Sequence, residues 1–181
     1  VSHTWELTYN EGKDLANFHL LGNPFTFNMD MSAATYKNLV EGVAIVNAEG
    51  GYTYVGADQD TTTIPVGDGF FVKANVKNAT DAIALSYGIR SSREKSANIN
   101  LVATSKAGKD NVVISFSGKK EGFDKLQNFN EEIATICVAE NGKAYGIYNC
   151  ESDVNEIAVM FSAKQMDSYS LSFELNGEFE S

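Results

Sequence analysis

Short β-type segments, separated by glycine, asparagine or aspartate, are the feature that most constrains this chain. Runs such as GVAIV, GYTYV, NVVISF and EIATICV are rich in β-branched and aromatic residues and are followed by turn residues. About a dozen such segments at spacings near ten residues are typical of an antiparallel sandwich or barrel. The sequence therefore predicts an all-β fold, specifically an antiparallel, jelly-roll-like β-sandwich.

Helical periodicity is scarce. The segment SAATYKNLVEG predicts one short helix from Ser32, as the N-cap, to Gly42. The segment EGFDKLQNFNEE, residues 121–132, predicts either another turn or two of helix or a loop that plugs the core with its apolar side chains. We expect a single domain over residues 1–181, because each half has too few strands to close its own two-sheet core. A polar seam at residues 74–82 marks the alternative boundary.

The charge of the chain excludes some partners. A net charge of −10 and a pI near 4.6 disfavour nucleic acid and anionic membrane surfaces, which both require basic patches. No apolar run approaches the length of a membrane-spanning segment, so we expect no membrane insertion. The chain begins at Val1 rather than at methionine, and we expect a processed or excised product.

The stretch FHLLGNPFTFNM places a Gly-Asn-Pro corner between two apolar runs. Gly22 can adopt the positive φ of a sharp bend, and Pro24 forces Asn23 into extended geometry. We expect a structural corner without catalytic atoms. Its flanking apolar side chains are predicted to anchor it in the core: Leu20, Leu21, Phe25 and Phe27. A second corner is predicted at PVGDG, residues 65–69.

Several stretches occur together in a known order. LLGNPFTFNMD, TIPVGDGFFVKA, DNVVISFSGKKEGFDKLQN and NEIAVMFSA, between Leu20 and Leu175, resemble a β-rich domain of Bacteroidetes secreted and surface proteins. That domain often precedes a C-terminal sorting domain for type IX secretion. The resemblance implies an accessory module that is exported across the outer membrane and is joined to neighbouring domains. It implies no reaction and no catalytic residues.

Catalytic motifs are absent from the sequence. His3 lies near a terminus, and His19 lies in a predicted strand, where a half-buried structural role is expected. No metalloprotease, nucleophile-elbow, phosphate-loop or zinc-ligand pattern occurs. Because acidic residues are plentiful, an unrecognised pair of carboxylates in a hydrolase domain stays open as an alternative. We expect no enzyme activity and no catalytic residue.

Two features suggest a metal ion and a modification. Asp58 and Asp60 alternate in a predicted loop, and such carboxylates can share a calcium ion, although a solvated turn is the simpler interpretation. No other cofactor is expected. The tripeptide Asp60-Thr61-Thr62 matches the Bacteroidetes O-glycosylation pattern, so the resemblance implies Thr61 as an attachment site.

Aromatic residues provide the candidate ligand site. Tyr52 and Tyr54 are two residues apart and therefore share one face of a strand, as in sugar-binding platforms. Packing within the core is the competing interpretation. Further candidates are Trp5, Tyr9, Tyr145 and Tyr148. The expected partners are a glycan or a host or cell-surface protein.

The cysteines allow a geometric prediction. A hairpin with Asn141-Gly142 as its loop places Glu140 opposite Lys143. Cys137 and Cys150 then lie roughly 13 Å apart on one face, whereas a disulfide requires Cα atoms within about 7 Å. We expect two free, mostly buried thiols.

Three function classes therefore remain. The first is a non-catalytic structural or adhesive module of a secreted or cell-surface bacterial protein. The second is a carbohydrate-binding module, and the third is a hydrolase accessory domain with an unrecognised acid pair. An exposed aromatic platform would distinguish the second class, and a deep pocket with paired carboxylates would distinguish the third.

Overall fold

The computed structural model describes residues 1–12, 15–59, 63–75, 80–88 and 95–177. These residues form sixteen strands and one short 3-10 helix, Met31–Ala33. No helix among them is long and apolar enough to cross a membrane. The strands are β1 His3–Leu7, β2 Phe18–Gly22, β3 Met29–Asp30, β4 Ala34–Lys37, β5 Val43–Val46, β6 Tyr52–Val55, β7 Thr63–Ile64, β8 Gly69–Lys73, β9 Ile83–Tyr87, β10 Asn98–Thr104, β11 Lys109–Ser115, β12 Glu121–Asp124, β13 Thr135–Glu140, β14 Lys143–Asn149, β15 Val159–Ser162 and β16 Ser170–Asn176.

The strands form four sheets, which confirms the predicted all-β, sandwich-like fold. Strands from the first half build a three-stranded sheet (β1-β9-β4), a four-stranded sheet (β2-β8-β5-β6) and the pair β3-β7. Strands from the second half build a seven-stranded sheet in the order β15-β13-β14-β11-β10-β16, with β12 also paired to β14. Every pairing is antiparallel except that of β11 with β14, which is parallel. This pair departs from the predicted antiparallel arrangement.

The four-stranded sheet is the middle layer of the molecule. On one face, Phe70 and Val72 of β8 join a core with the three-stranded sheet and the β3-β7 pair. On the other face, Phe71 of the same strand packs against a core that includes Val113 and Ile147 of the seven-stranded sheet. This alternation along β8 follows from the two-residue period of a strand. The second core joins residues from both sides of the predicted seam at residues 74–82.

The seven-stranded sheet is curled. Cα atoms of β10 and β13 approach within 8 Å although these strands are three positions apart in the sheet. Three steps across a flat sheet would span roughly 14 Å. The concave side holds a third core, formed mainly by Val112 and Ile114 of β11 with Ile136 and Val138 of β13.

The helix predicted from Ser32 to Gly42 is wrong. This segment contains the end of the 3-10 helix and then β4, which pairs with β9. Ala34 and Tyr36 alternate toward the first core, so packing against a neighbouring strand outweighs local helix propensity. The segment 121–132 forms no helical turn and begins instead with strand β12. Phe123 and Leu126 are buried, as predicted for a segment that plugs the core. Phe129 is exposed.

The Gly-Asn-Pro corner is held by Asn23 rather than by a positive φ at Gly22. Gly22 ends β2 opposite Gly69 and is not among the glycines with positive φ. Asn23 is buried, and its Nδ2 donates hydrogen bonds to the carbonyl oxygens of Phe27 (2.9 Å), Ile64 (2.9 Å) and Pro65 (3.0 Å). Its Oδ1 accepts one from the Phe25 backbone N–H at 2.9 Å. One side chain therefore joins the two predicted corners.

The apolar residues around this corner are only partly buried. Leu21 is buried and Phe25 packs against the first core, as predicted. Leu20 and Phe27 are exposed, which corrects the prediction that they anchor the corner. Leu20 and Leu21 are consecutive in β2, so only Leu21 points toward the first core; Leu20 points to the other face, beside its partner Phe71 of β8, and is 65% exposed there.

The predicted β13–β14 hairpin is confirmed in its register. Glu140 pairs with Lys143 and Val138 with Tyr145. Asn141 and Gly142 both have positive φ, as a type I′ turn requires. The sequence determines this hairpin because the turn itself fixes which residues face each other.

Candidate functional site

The predicted tyrosine platform lies inside the molecule. Tyr52 and Tyr54 belong to the second core, with exposures of 6% and 1%. The Tyr54 hydroxyl accepts a hydrogen bond from the Leu126 backbone N–H at 2.7 Å, and burial raises the Tyr54 pKa well above its ordinary value. Tyr52 borders a polar cavity of about 290 Å³ that is also lined by Asn100 and Glu174. The two rings therefore offer no exposed face on which a sugar could stack.

The predicted calcium and glycosylation residues are only partly described. Asp58 is buried. Asp60 and Thr61 lie outside the described residues, so the pair Asp58/Asp60 and the attachment site at Thr61 stay predictions. Within the described ranges, no group of three or more His, Cys, Asp or Glu side chains is arranged to hold a metal ion.

A buried ion pair lies beside Tyr54. Lys125 Nζ contacts Asp110 Oδ1 at 2.8 Å, and the two side chains are 4% and 0% exposed. Lys125 also donates to the carbonyl oxygen of Asn111 at 2.7 Å and lies 4.2 Å from the centre of the Tyr54 ring. Asp110 Oδ2 accepts from the Ile136 backbone N–H at 2.8 Å. These contacts join β11, β13, β6 and the segment after β12, which is a structural role.

Both cysteines are free and buried, as predicted. The prediction that they share one face is wrong: Cys150 belongs to the third core, whereas Cys137 lies between Ile136 and Val138 of that core along β13 and points to the opposite side. Burial raises the pKa of Cys137, and it raises the pKa of Cys150 to about 11. Raised pKa values keep both groups as thiols near neutral pH, whereas nucleophilic cysteines are thiolates. His19 is half-buried in β2, as expected. None of these side chains is placed as a catalytic group.

An open cavity of about 500 Å³ lies between the two halves of the chain. Two of the candidate aromatic residues, Tyr9 and Tyr145, line it together with lysines and acids. Of its two acids, Asp124 pairs with Lys73 at 2.9 Å, and Glu121 accepts a hydrogen bond from Asn75 Nδ2 at 2.8 Å. The cavity is polar and is lined by groups of both charges.

A larger anomaly is an apolar surface on the two edge strands of the seven-stranded sheet. Five side chains on it are 41–67% exposed, namely Val159, Phe161, Leu171, Phe173 and Leu175. We call this surface the open apolar face. Several large apolar side chains exposed along one strand are uncommon on monomeric proteins, and such clusters often mark an interaction site.

Strand register shows that these five side chains share the concave side of the sheet. On β16, Phe173 lies opposite Leu101 of β10, which packs against the third core. On β15, Phe161 lies opposite Ile136, a buried member of that core. Residues directly opposite each other in an antiparallel pair point to the same face. The open apolar face therefore extends the third core outward to both edges of the sheet.

The chain covers one part of this concave side. The segment between β14 and β15 lies over it and leaves a cavity of about 250 Å³, whose apolar lining includes Val138, Tyr148, Val154 and Ile157. Tyr169, in the connection from β15 to β16, packs against Phe161 of β15, and the centroids of the two rings are 5.3 Å apart. Among the described residues, no segment covers the side chains of Leu171, Phe173 and Leu175 on β16 in this way.

The edge of β16 carries few of the devices that normally block strand addition, and Glu174 is its one charged side chain. Natural edge strands are short, bulged, or interrupted by proline or lysine. β15 follows this rule with four residues. β16 has seven residues, contains no proline or lysine, and pairs with β10 without a register shift. Its outer edge offers backbone N–H and C=O groups to another strand.

Sequence analysis did not identify this surface. The run YSLSFEL is a β-type segment in the sequence, and the structure forms β16 there with its apolar side chains on one face. Whether any neighbour covers them depends on the tertiary arrangement, which strand periodicity does not report. No protein-family model matches the chain, and neither a curated protein nor a solved structure matches it.

Proposed function

We propose that this chain is a non-catalytic structural or adhesive module that binds a polypeptide strand from outside these 181 residues along the open apolar face. The observation that carries the proposal is the exposed Leu171, Phe173 and Leu175 on an unblocked edge strand. Such an edge supplies backbone hydrogen bonds, and its side chains supply apolar contacts, which together favour an extended polypeptide.

The location of the module in an exported protein is part of the same proposal. The resemblance to a domain of Bacteroidetes secreted and surface proteins supports a place in an exported protein. In that setting an accessory module joins neighbouring domains or a surface partner, and strand addition is a suitable way to do so.

Amide hydrogen exchange tests this function. In the isolated chain, the β16 amides that point away from β10 should exchange quickly, because no strand pairs with them. In protein recovered from its native assembly, the same amides should exchange at least about tenfold more slowly. Strand β11, which lies inside the sheet, serves as the control and should be slow in both samples. Unchanged fast exchange at β16 in the assembly would overturn the proposal.

Carbohydrate binding is the second candidate, and the cavity between Tyr9 and Tyr145 favours it. A glycan array with the parent chain and Tyr9→Ala tests this function. Binding that is lost in Tyr9→Ala and kept in Tyr52→Phe would support this site, because Tyr52 lies in the core instead of the cavity. An array without signal for the parent would remove this candidate.

A further inference from the structure

The side chains of β16 specify more than apolarity. Its two faces alternate, with Leu171, Phe173 and Leu175 toward the concave side and Ser172 and Glu174 on the other. Glu174 accepts a hydrogen bond from Asn100 Nδ2 at 3.3 Å, and no cation among the described residues pairs with it. A strand that adds to this edge therefore places one residue directly opposite an exposed carboxylate.

The last part of the chain is acidic in sequence. Residues 151–177 contain five acids (Glu151, Asp153, Glu156, Asp167 and Glu174) and a single lysine, Lys164. In the fold, Lys106 pairs with Asp167 at 3.7 Å, and Lys109 lines the same cavity as Ser172 and Glu174. Lys164 is already paired with Glu131. The charge that an approaching strand meets directly on β16 is that of Glu174, which attracts a cation and repels an anion.

Building on the proposed function, we infer that the open apolar face takes an antiparallel strand with apolar residues at alternate positions and a lysine or arginine opposite Glu174. Opposite charges directly across an antiparallel pair stabilise it, and like charges destabilise it. The apolar positions lie opposite Leu171, Phe173 and Leu175. The basic residue lies on the other face, between two of them.

A second copy of the chain fits this edge less well. Each copy has a net charge of −10, so association brings two strongly acidic molecules together. Pairing of β16 with its own copy engages seven residues from each chain. Stable interfaces use roughly 20–30 residues from each side. A single basic strand avoids this charge repulsion.

Fluorescence anisotropy with short labelled peptides tests the inference. The probe is Thr-Val-Lys-Ile-Thr-Val-Thr, in which the lysine is placed opposite Glu174. One control peptide carries glutamate in place of lysine. The other has the same composition but exchanges the lysine with the adjacent valine, which moves the charge to the apolar face. The probe should bind about three- to tenfold more tightly than the glutamate peptide and more tightly than the exchanged peptide.

A charge reversal in the protein completes the test. In Glu174→Lys, the order of the two peptides should invert, so that the glutamate peptide binds more tightly. This residue is on an exposed edge, so the variant is expected to fold. Equal binding of both peptides to the parent, no binding of the probe, or no inversion in Glu174→Lys would overturn the basic partner.

A third variant separates this inference from the proposed function. Phe173→Thr with Leu175→Thr should abolish binding of every peptide. If this variant binds no peptide while the parent binds the lysine and glutamate peptides equally tightly, the apolar docking surface is supported and the basic partner is ruled out. If binding is unchanged in this variant, both proposals fail. A dimer of the parent chain that protects the β16 amides would show that a second copy is the occupant and would overturn the inference.

Discussion

Asn23 shows how one side chain can hold two loops together. Its amide nitrogen donates to three backbone carbonyl oxygens, namely those of Phe27, of Pro65 in the second corner, and of Ile64 directly before that corner. The signal in the sequence is an asparagine before proline, which favours a turn closed by the side chain. The identity of the distant carbonyl groups has no local signature, because they lie about forty residues away (41 and 42 positions).

Replacement of Asn23 by aspartate should destabilise the fold at almost constant volume. The carboxylate cannot donate, so three carbonyl groups lose their partner and face a negative charge. We expect the free energy of unfolding, measured by urea denaturation, to fall by about 3 kcal/mol. Asn28→Asp is the matched control, because exposed Asn28 accepts a hydrogen bond from the Val66 backbone N–H, and within the described ranges no hydrogen bond donated by its side chain is seen. Equal effects of the two substitutions would contradict this role of Asn23.

The Lys125–Asp110 pair makes a second prediction. Lys125→Met removes the cation and leaves the Asp110 carboxylate buried without its charge partner. We expect a loss of about 3–5 kcal/mol in the free energy of unfolding. Lys164→Met provides the control, since both side chains of the Lys164–Glu131 pair are more than half exposed, and it should leave stability nearly unchanged. A small effect of Lys125→Met would show that water or another group compensates Asp110.

Alkaline pH should weaken the fold in part through Cys150. Burial, together with the negative charge of Glu151, raises its pKa from 9.0 to about 11. The folded state therefore holds this proton more tightly than the unfolded state does. The resulting stability is complete below about pH 9 and is lost as the pH rises through 11. Urea midpoints should fall less steeply over this range in Cys150→Ala than in the parent, and equal slopes would contradict the shift.

At the level of elements, the exposed apolar side chains of β16 should contribute little to the stability of the isolated chain. Phe173 is 67% exposed, whereas Phe123 is fully buried in the second core. We expect Phe123→Ala to lower the free energy of unfolding by about 3–5 kcal/mol and Phe173→Ala to lower it by less than about 1 kcal/mol. Urea denaturation measures both. A large loss in Phe173→Ala would mean that this side chain is already covered in the isolated protein.

Elements that depend on local chemistry are the ones the sequence predicts well. The β13–β14 hairpin follows from Asn141-Gly142, and most strands follow from alternation between turn residues. The helix expected from Ser32 to Gly42 fails because β9 supplies a partner strand for β4. The parallel pairing of β11 with β14 and the exposure of β16 depend on contacts between distant segments, which no local pattern encodes.

At the scale of the whole molecule, three stacked layers differ in how well they are covered. The four-stranded sheet has a core on each face, and the seven-stranded sheet has one core shared with it. The concave side of the seven-stranded sheet has the third core, which is covered only in part. Exposed apolar surface next to an incomplete core is the physical basis for proposing a binding function at β15 and β16.

Nuclear magnetic resonance of the labelled chain with the lysine-containing peptide tests the central claim most directly. Strand addition predicts intermolecular NOEs between the peptide backbone and the backbone of β16, with slowed exchange of the outer β16 amides. It also predicts shifts in the methyl and ring signals of Leu171, Phe173 and Leu175. NOEs from the peptide to the Tyr9 and Tyr145 cavity, or unshifted β16 signals at saturating peptide, would contradict the claim.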